Sequence, residues 1–298
     1  MEERYIIHFE HYFLDRRHVS WPTHIGISRI LRSAVTLQKS MVCRNWRSAV
    51  SLDLLPAARV APWTAMPSQT QCTTCPVRES ALCGSMCDQE LRALNAIGRR
   101  RIVRAGQVVC WVGDQASAFA NVVRGTLKLS AMTADGREQI VGLLFPGDFV
   151  GQLFSDKPDL TVTAITETDL CSYSRTAFEA LLDDHPRLER MLLKRTLTSL
   201  NEAQDRMLTL GRKTAQERVA GFIQSLAKRS GCEQPDGTIH VAIPVSRGEM
   251  ADYLGLTIET VSRQITRLRA ASIIAFADGN RDCRILDPRQ LEDMINPI

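Results

Sequence analysis

The window 246–274 reads SRGEMADYLGLTIETVSRQITRLRAASII, and it leaves the chain little freedom there. Ser246 followed by Glu249 forms a capping box, in which each side chain satisfies a backbone N–H that a helix start would otherwise leave unbonded. Gly255 supplies a tight turn, and Thr257 caps a second helix running to about Ala270. Two helices joined by so short a turn make a helix-turn-helix. On the second helix Ile258, Val261, Ile265 and Leu268 line the core face, which leaves Glu259, Ser262 and Arg263 together on the opposite face near its start. From that position side chains reach base edges. Arg pairs with guanine O6 and N7, Glu accepts from cytosine N4 and Ser adapts to either, each contact giving about 1–3 kcal/mol of discrimination. Arg267 and Arg269 suit phosphates. Any one of these residues alone would read as part of a solvated helix face; two caps, a turn glycine, an apolar stripe and a polar triad in one window point to double-stranded DNA.

Bulk charge adds nothing to that reading. The net charge of +4 resides in residues 1–71, which hold nine Lys/Arg against five Asp/Glu, while the rest of the chain holds 28 of each. No stretch approaches the roughly 18 consecutive apolar residues of a membrane span, and the N-terminus has no signal-peptide pattern, so the cytoplasm is the expected compartment. In a reducing cytoplasm nine cysteines stay free, and a tight cluster of them reads as a metal or redox site.

Four zones follow from composition. Residues 1–71 drift into Pro, Ala and Ser without periodicity and are expected to be a disordered extension; Met41 and Met66 leave a later start codon open. Residues 72–174 begin with the cysteines and DQELRALNAIGRRR, expected as one short helix, and continue as short β-branched runs punctuated by glycine: antiparallel structure, a barrel or roll. Gly106, Gly113, Gly125, Gly136, Gly147 and Gly151 are expected at positive φ or tight corners. Residues 175–210 switch to a helical period, with Leu193, Leu197, Leu200, Ala203, Met207 and Leu210 forming a coiled-coil seam that is expected to meet a partner helix, the alternative being that it packs only on its own domain. Residues 211–298 open on an amphipathic helix, TAQERVAGFIQSLAKRS, and close with a hairpin turning at Asp278-Gly279.

The cysteine segment reads QCTTCPVRESALCGSMC and contains Cys72, Cys75, Cys83 and Cys87. Thiolates in this density suit structural zinc, an iron-sulfur cluster or, through CTTC, a dithiol switch. Spacing alone does not separate the first two, and the switch expects a βαβ context that is missing.

From about residue 72 to its end the chain resembles the Crp/Fnr family of bacterial transcription regulators. YLGLTIETVSRQITRLR is similar to the recognition segment of the family's FNR branch, whose Glu-x-x-Ser-Arg triplet falls on Glu259, Ser262 and Arg263. The resemblance implies an α+β fold: a cyclic-nucleotide-binding-like β-roll (72–174), a long dimerisation helix (175–210) and a C-terminal winged helix-turn-helix (211–298). It implies a homodimer on inverted repeats of TTGAT type and RNA polymerase as a partner; an enzyme is the weakest alternative, since outside CTTC no nucleophile, base or phosphate loop stands in a catalytic arrangement. It also implies an oxygen-labile 4Fe-4S cluster, one per subunit, held by three N-terminal cysteines and one on the roll. Those positions are Cys72, Cys75 and Cys83, spaced as in the FnrN and FnrL subgroup, and Cys171 in AITETDLCSYS. Cys87 is then a spare thiol or a substitute for Cys83 or Cys171. Cys110 reads as a core residue, and Cys43, Cys232 and Cys283 stand isolated.

The same fold can sense a cyclic nucleotide. The family's cyclic-AMP receptors carry Gly-Glu and then Arg-Ser at the phosphate site, whereas this chain has Gln152 in GQLFSDKPDLTVTAI and no Arg-Ser, so that pocket is expected to be absent. A regulator that senses nucleotide, binds zinc or needs no ligand is the alternative. The expected switch is that the cluster, intact at low oxygen, fixes the cysteine loop against the roll and the long helix and so promotes the dimer; Asp205, near the seam, would repel its mate when the cluster is lost.

Overall fold

The computed structural model describes residue 72 and residues 74–115, 117–151, 157–277 and 281–295. The expectations for residues 1–71, Cys43, Gln152 and the Asp278-Gly279 turn lie outside them.

Helix α1 (Asp88–Ile97) is shorter than expected. Gly98 closes it by donating its N–H to the Leu94 carbonyl, and the arginine run continues as strand β1 (Arg99–Val103) instead of more helix. The reason is long-range: β1 pairs antiparallel with β8 (Thr168–Ser174), with Arg100 opposite Cys171, and this ladder outweighs a weak helical preference after a glycine. The remaining strands of the roll are β2 (Val108–Cys110), β3 (Ala118–Arg124), β4 (Leu127–Met132), β5 (Glu138–Leu144), β6 (Phe149–Val150) and β7 (Thr161–Ala164). They form two four-stranded sheets of order β1-β8-β3-β6 and β2-β7-β4-β5. All six glycines expected at corners have positive φ.

The expected single helical element over 175–210 is two helices, α2 (Arg175–Asp184) and α3 (Pro186–Arg212, 27 residues). Pro186 has no N–H to continue α2 but fits the first turn of α3. Leu188 and Leu192 bury their side chains against the roll and α2, whereas Leu193, Leu197, Leu200 and Met207 are between 51% and 69% exposed. An apolar stripe of that length left in water is the signature of a surface made for a partner. Leu210, expected in the same seam, is half-buried beside Gly255.

The C-terminal part is built on α4 (Ala215–Ser230), capped by Thr214 and Glu217, with β9 (Cys232–Glu233), β10 (Ile239–Ala242), α5 (Arg247–Leu254), α6 (Ile258–Ala270), β11 (Ile274–Phe276), β12 (Asp282–Ile285) and α7 (Pro288–Asp293). Two strands are expected from the sequence; β9 and β10 join them in a sheet of order β11-β12-β10-β9. Val219, Ile223, Met250, Val261, Ile265 and Leu268 fill the core, each such side chain contributing about 1.5–3 kcal/mol when fully buried. Ile140 of β5 is fully buried in the same core, so the roll packs directly on the helix-turn-helix. The guanidinium of Arg218 adds a second tie: it donates to the carbonyls of Leu210 (2.7 Å), Lys213 (2.9 Å) and Leu254 (3.0 Å), locking the end of α3 to the end of α5. No helix among the described residues is long and apolar enough to cross a membrane.

Candidate metal centre and nucleic-acid interface

Residues 74–87 form a loop of successive tight turns. Arg78 donates its N–H to Cys75 (3.2 Å), Ala81 to Val77 (2.8 Å) and Met86 to Cys83 (3.3 Å). Gly84 is required inside it, because a Cβ there would lie 2.5 Å from the Glu79 carbonyl oxygen. Leu82, Leu94 and Phe178 bury themselves beneath the loop and hold it to the roll and α2. The Cys72 thiol donates to Asn95 Oδ1 on α1 (3.2 Å).

The loop brings Cys72, Cys75 and Cys83 to one cavity, and Cys171 of β8 lines the same cavity from the other side. The space between atoms there is about 370 Å³, part of it open to solvent. The strand register explains the wall that the sequence reading missed. Arg100 on β1 and Asn121 on β3 are both paired with Cys171, and directly paired residues face the same side of a sheet. Tyr173, two residues beyond Cys171, shares that face. Arg100, Asn121 and Tyr173 line the cavity with the four thiols. Arg100 is steadied by a two-point ion pair with Asp169, one bond being Nε to Oδ1 at 2.9 Å. Asn121 Nδ2 donates to the Tyr173 hydroxyl (3.1 Å), which lines the cavity beside Cys171.

Burial pushes the Cys83 thiol up to about 11, with Cys75 adding to the effect. Burial and then the neighbouring Cys171 and Cys75 raise Cys72. Burial raises Cys171 too, against the Tyr173 hydrogen bond and the Arg100 charge, which favour its thiolate. Several thiolates cannot share one small cavity without a counter-charge, so Cys72, Cys83 and Cys171 stay protonated at neutral pH until a cation displaces the protons. Among the described residues no three His, Cys, Asp or Glu side chains converge as they would around a single metal ion.

Cys87 is exposed, stands at the start of α1 and does not line the cavity; its N–H donates to the Glu90 carboxylate (2.8 Å). Cys110 is half-buried against the small roll core, as expected of a packing residue. Cys283 is fully buried in the C-terminal core. Cys232 is half-buried at the start of β9 and does not line the cavity.

In the helix-turn-helix, Ser246 Oγ accepts the Glu249 N–H (3.2 Å) and Glu249 Oε2 accepts the Ser246 N–H (2.8 Å), closing the expected capping box. Gly255 is left-handed at φ 61°, and Thr257 Oγ1 accepts the Thr260 N–H (3.2 Å) at the start of α6. Val261, Ile265 and Leu268 are buried, but Ile258, expected with them, is 51% exposed. The first turn of α6 extends beyond the core, and Gln264 completes the buried stripe at 261, 264, 265 and 268. Glu259, Ser262, Arg263 and Arg267 are exposed on the opposite side. Backbone and Thr257 hydrogen bonds at the helix start hold the Glu259 carboxyl below the usual range, so it stands at neutral pH as an ionised acceptor. Arg263 rests its guanidinium on Thr260 Oγ1 (3.2 Å), aimed along the helix surface.

A capped reading helix on a winged helix-turn-helix, joined through a long half-exposed helix to an eight-stranded roll, defines a DNA-binding transcription regulator. Residues 217–294 match the family profile of the Crp-like helix-turn-helix domain, and residues 100–185 that of the cyclic nucleotide-binding domain. The chain is 40% identical over 227 residues to the transcriptional activator protein FnrL of Cereibacter sphaeroides, covering 75% of this chain and 91% of that protein. It is 39% identical over 225 residues to a probable transcriptional activator of Rhizobium leguminosarum bv. viciae, covering 76% and 93%. The solved structure of FixK2 from Bradyrhizobium japonicum superposes with a TM-score of 0.61 at 31% identity, covering 66% of this chain and 97% of that one. The chain belongs to the Crp/Fnr family, in its FNR branch. It is a transcriptional activator of the FNR/FixK type and not an enzyme.

Proposed function

We propose that this regulator responds to oxygen through a 4Fe-4S cluster, one per subunit, held by Cys72, Cys75, Cys83 and Cys171. It acts in the cytoplasm as a homodimer at low oxygen on inverted repeats of TTGAT type, activating genes beside RNA polymerase and repressing where a site overlaps a promoter. The observation that carries the reading is that thiols from two distant parts of the chain, and only those four of the five candidates, line one cavity.

The donor set suits the group. Soft thiolates are the ligands that iron-sulfur clusters take, and Arg100 supplies positive charge beside a cofactor that is anionic with four thiolates bound. One zinc ion draws each sulfur to about 2.3 Å from a single point. Here the loop supplies three thiols to the cavity and β8 the fourth, from opposite sides. A cluster bound there would supply sensitivity to oxygen.

The chain's own residues carry the consequence to DNA. Bound thiols pin the loop to the roll; Arg195 of α3 donates to the Ser80 carbonyl in that loop and to Gly147 (2.8 Å), so a fixed loop holds the long helix in place. Its exposed leucines then meet those of a second copy. Asp205, exposed on the same helix, would repel its mate and keep the unpinned dimer weak. A coupling of a few kcal/mol suffices for such a switch.

Anaerobic purification tests the proposal. Brown protein with about four irons and four sulfides per chain, bleaching in air, is expected; colourless protein with one zinc per chain, or operator binding equal before and after aeration, overturns it.

A further inference from the structure

Asn121 is a polar residue where the roll wants an apolar one. It sits in the middle of β3, in the buried run Phe119, Ala120, Asn121, Val122, Val123, and is 1% exposed. Asparagine is disfavoured in strands, and here it displaces a side chain that could pack. One of its two N–H donors is used, on the Tyr173 hydroxyl (3.1 Å); Oδ1 is buried with no partner. Native cores seldom leave such an atom unpaired. Its location supplies the explanation, since Asn121 lines the thiol cavity and faces Cys171 across the β3–β8 ladder.

The two ends of a carboxamide are interchangeable by a half-turn. As drawn, Asn121 gives its N–H to the Tyr173 hydroxyl, which lines the cavity beside Cys171. Turned over, Oδ1 accepts the Tyr173 O–H and the N–H₂ group faces the cavity, where the thiols and any inorganic sulfide are acceptors. The second arrangement leaves no buried acceptor empty, but only if the cavity holds something for the N–H to bond.

We infer that Asn121, oriented by Tyr173, is a positioning residue that donates a hydrogen bond to a sulfur of the group held in the thiol cavity. This rests on the cluster reading above and names the part the pair plays in it. Hydrogen bonds to the sulfurs of a cluster stabilise its more reduced, more negative form, so they raise its reduction potential and protect its ligands.

The test compares wild type, Asn121→Leu and Tyr173→Phe, each reconstituted anaerobically with iron and sulfide. The midpoint potential, the half-life of visible absorbance in air and the melting temperature of the cluster-free chain are measured. Both variants are expected to shift to lower potential and bleach several-fold faster than wild type. Cluster-free Asn121→Leu is expected to melt no lower than wild type, because it loses an unpaired acceptor. Tyr173→Phe, which keeps its ring, carries the comparison if Asn121→Leu folds poorly. A purely structural role would lower the melting temperature and leave the potential alone. Variants that load with unchanged potential and half-life overturn the inference while leaving the cluster reading intact; wild type that takes up no cluster overturns both.

Discussion

Arg195, in the third turn of α3, donates one guanidinium N–H to the carbonyl of Ser80, between Cys75 and Cys83, and another to the carbonyl of Gly147 (2.8 Å). Gly147 is what allows the approach: at φ +96° it presents no side chain, and a Cβ there would lie 2.6 Å from Ser80 Oγ. The next residue, Asp148, accepts from Arg229 of α4 at 2.9 and 3.3 Å. One turn of the roll therefore touches the cysteine loop, the long helix and the DNA-binding part.

Arg195→Met keeps the aliphatic stem and removes both hydrogen bonds. Bonds from a charged group contribute about 1.5–3 kcal/mol each when shielded, and Arg195 is half-exposed, so the lower end applies. Iron content should stay unchanged while anaerobic dimer affinity falls about tenfold, read by sedimentation. Equal dimer affinity would remove Arg195 from the coupling.

Cys72→Ser, Cys75→Ser, Cys83→Ser and Cys171→Ser should each lose the visible absorbance and the low-oxygen activation of a reporter, because serine is a poor ligand for iron-sulfur clusters. Cys87→Ser should keep both, since its side chain is exposed and does not line the cavity. Loss in Cys87→Ser with retention in Cys83→Ser would exchange their roles.

On the reading helix, Arg263→Ala should weaken operator binding by about 1–3 kcal/mol and relax preference at one base pair of each half-site. Arg267→Ala should weaken all sequences alike and reduce the salt slope by about one. Anisotropy titrations on operator and scrambled duplexes at several salt concentrations separate the two; identical profiles would contradict the assignment of base and phosphate roles.

Cys283 provides a pH test away from the cavity. Burial pushes its thiol up to about 12, from an unperturbed 9.0. The unfolded thiol ionises first, so the stability this burial contributes is fully present below pH 9 and is lost as pH rises through 12, a span on the order of 4 kcal/mol. Wild type should lose more melting temperature than Cys283→Ala between these limits; parallel curves would refute the linkage.

The helix-turn-helix was legible residue by residue. Its capping box, left-handed glycine and N-cap threonine join groups three residues apart, and such bonds form wherever those residue types recur at that spacing. The turn glycines of the roll were legible for the same reason, since a positive φ is a property of one residue. Ile258 and Gln264 exchanged places because periodicity gives the direction of a stripe but not where the core ends.

The chain's own order of residues determined the helix caps, the corners, the apolar seam of α3 and the presence of a thiol-rich loop. Only the tertiary structure decided that the arginine run is a strand, that Cys83 and not Cys87 lines the cavity with Cys171, and that Arg100, Asn121 and Tyr173 wall it. The physical reason is range. Caps and turns are set by neighbours, whereas the cavity depends on the register between strands dozens of residues apart, where sliding by a single residue would send every side chain to the other face.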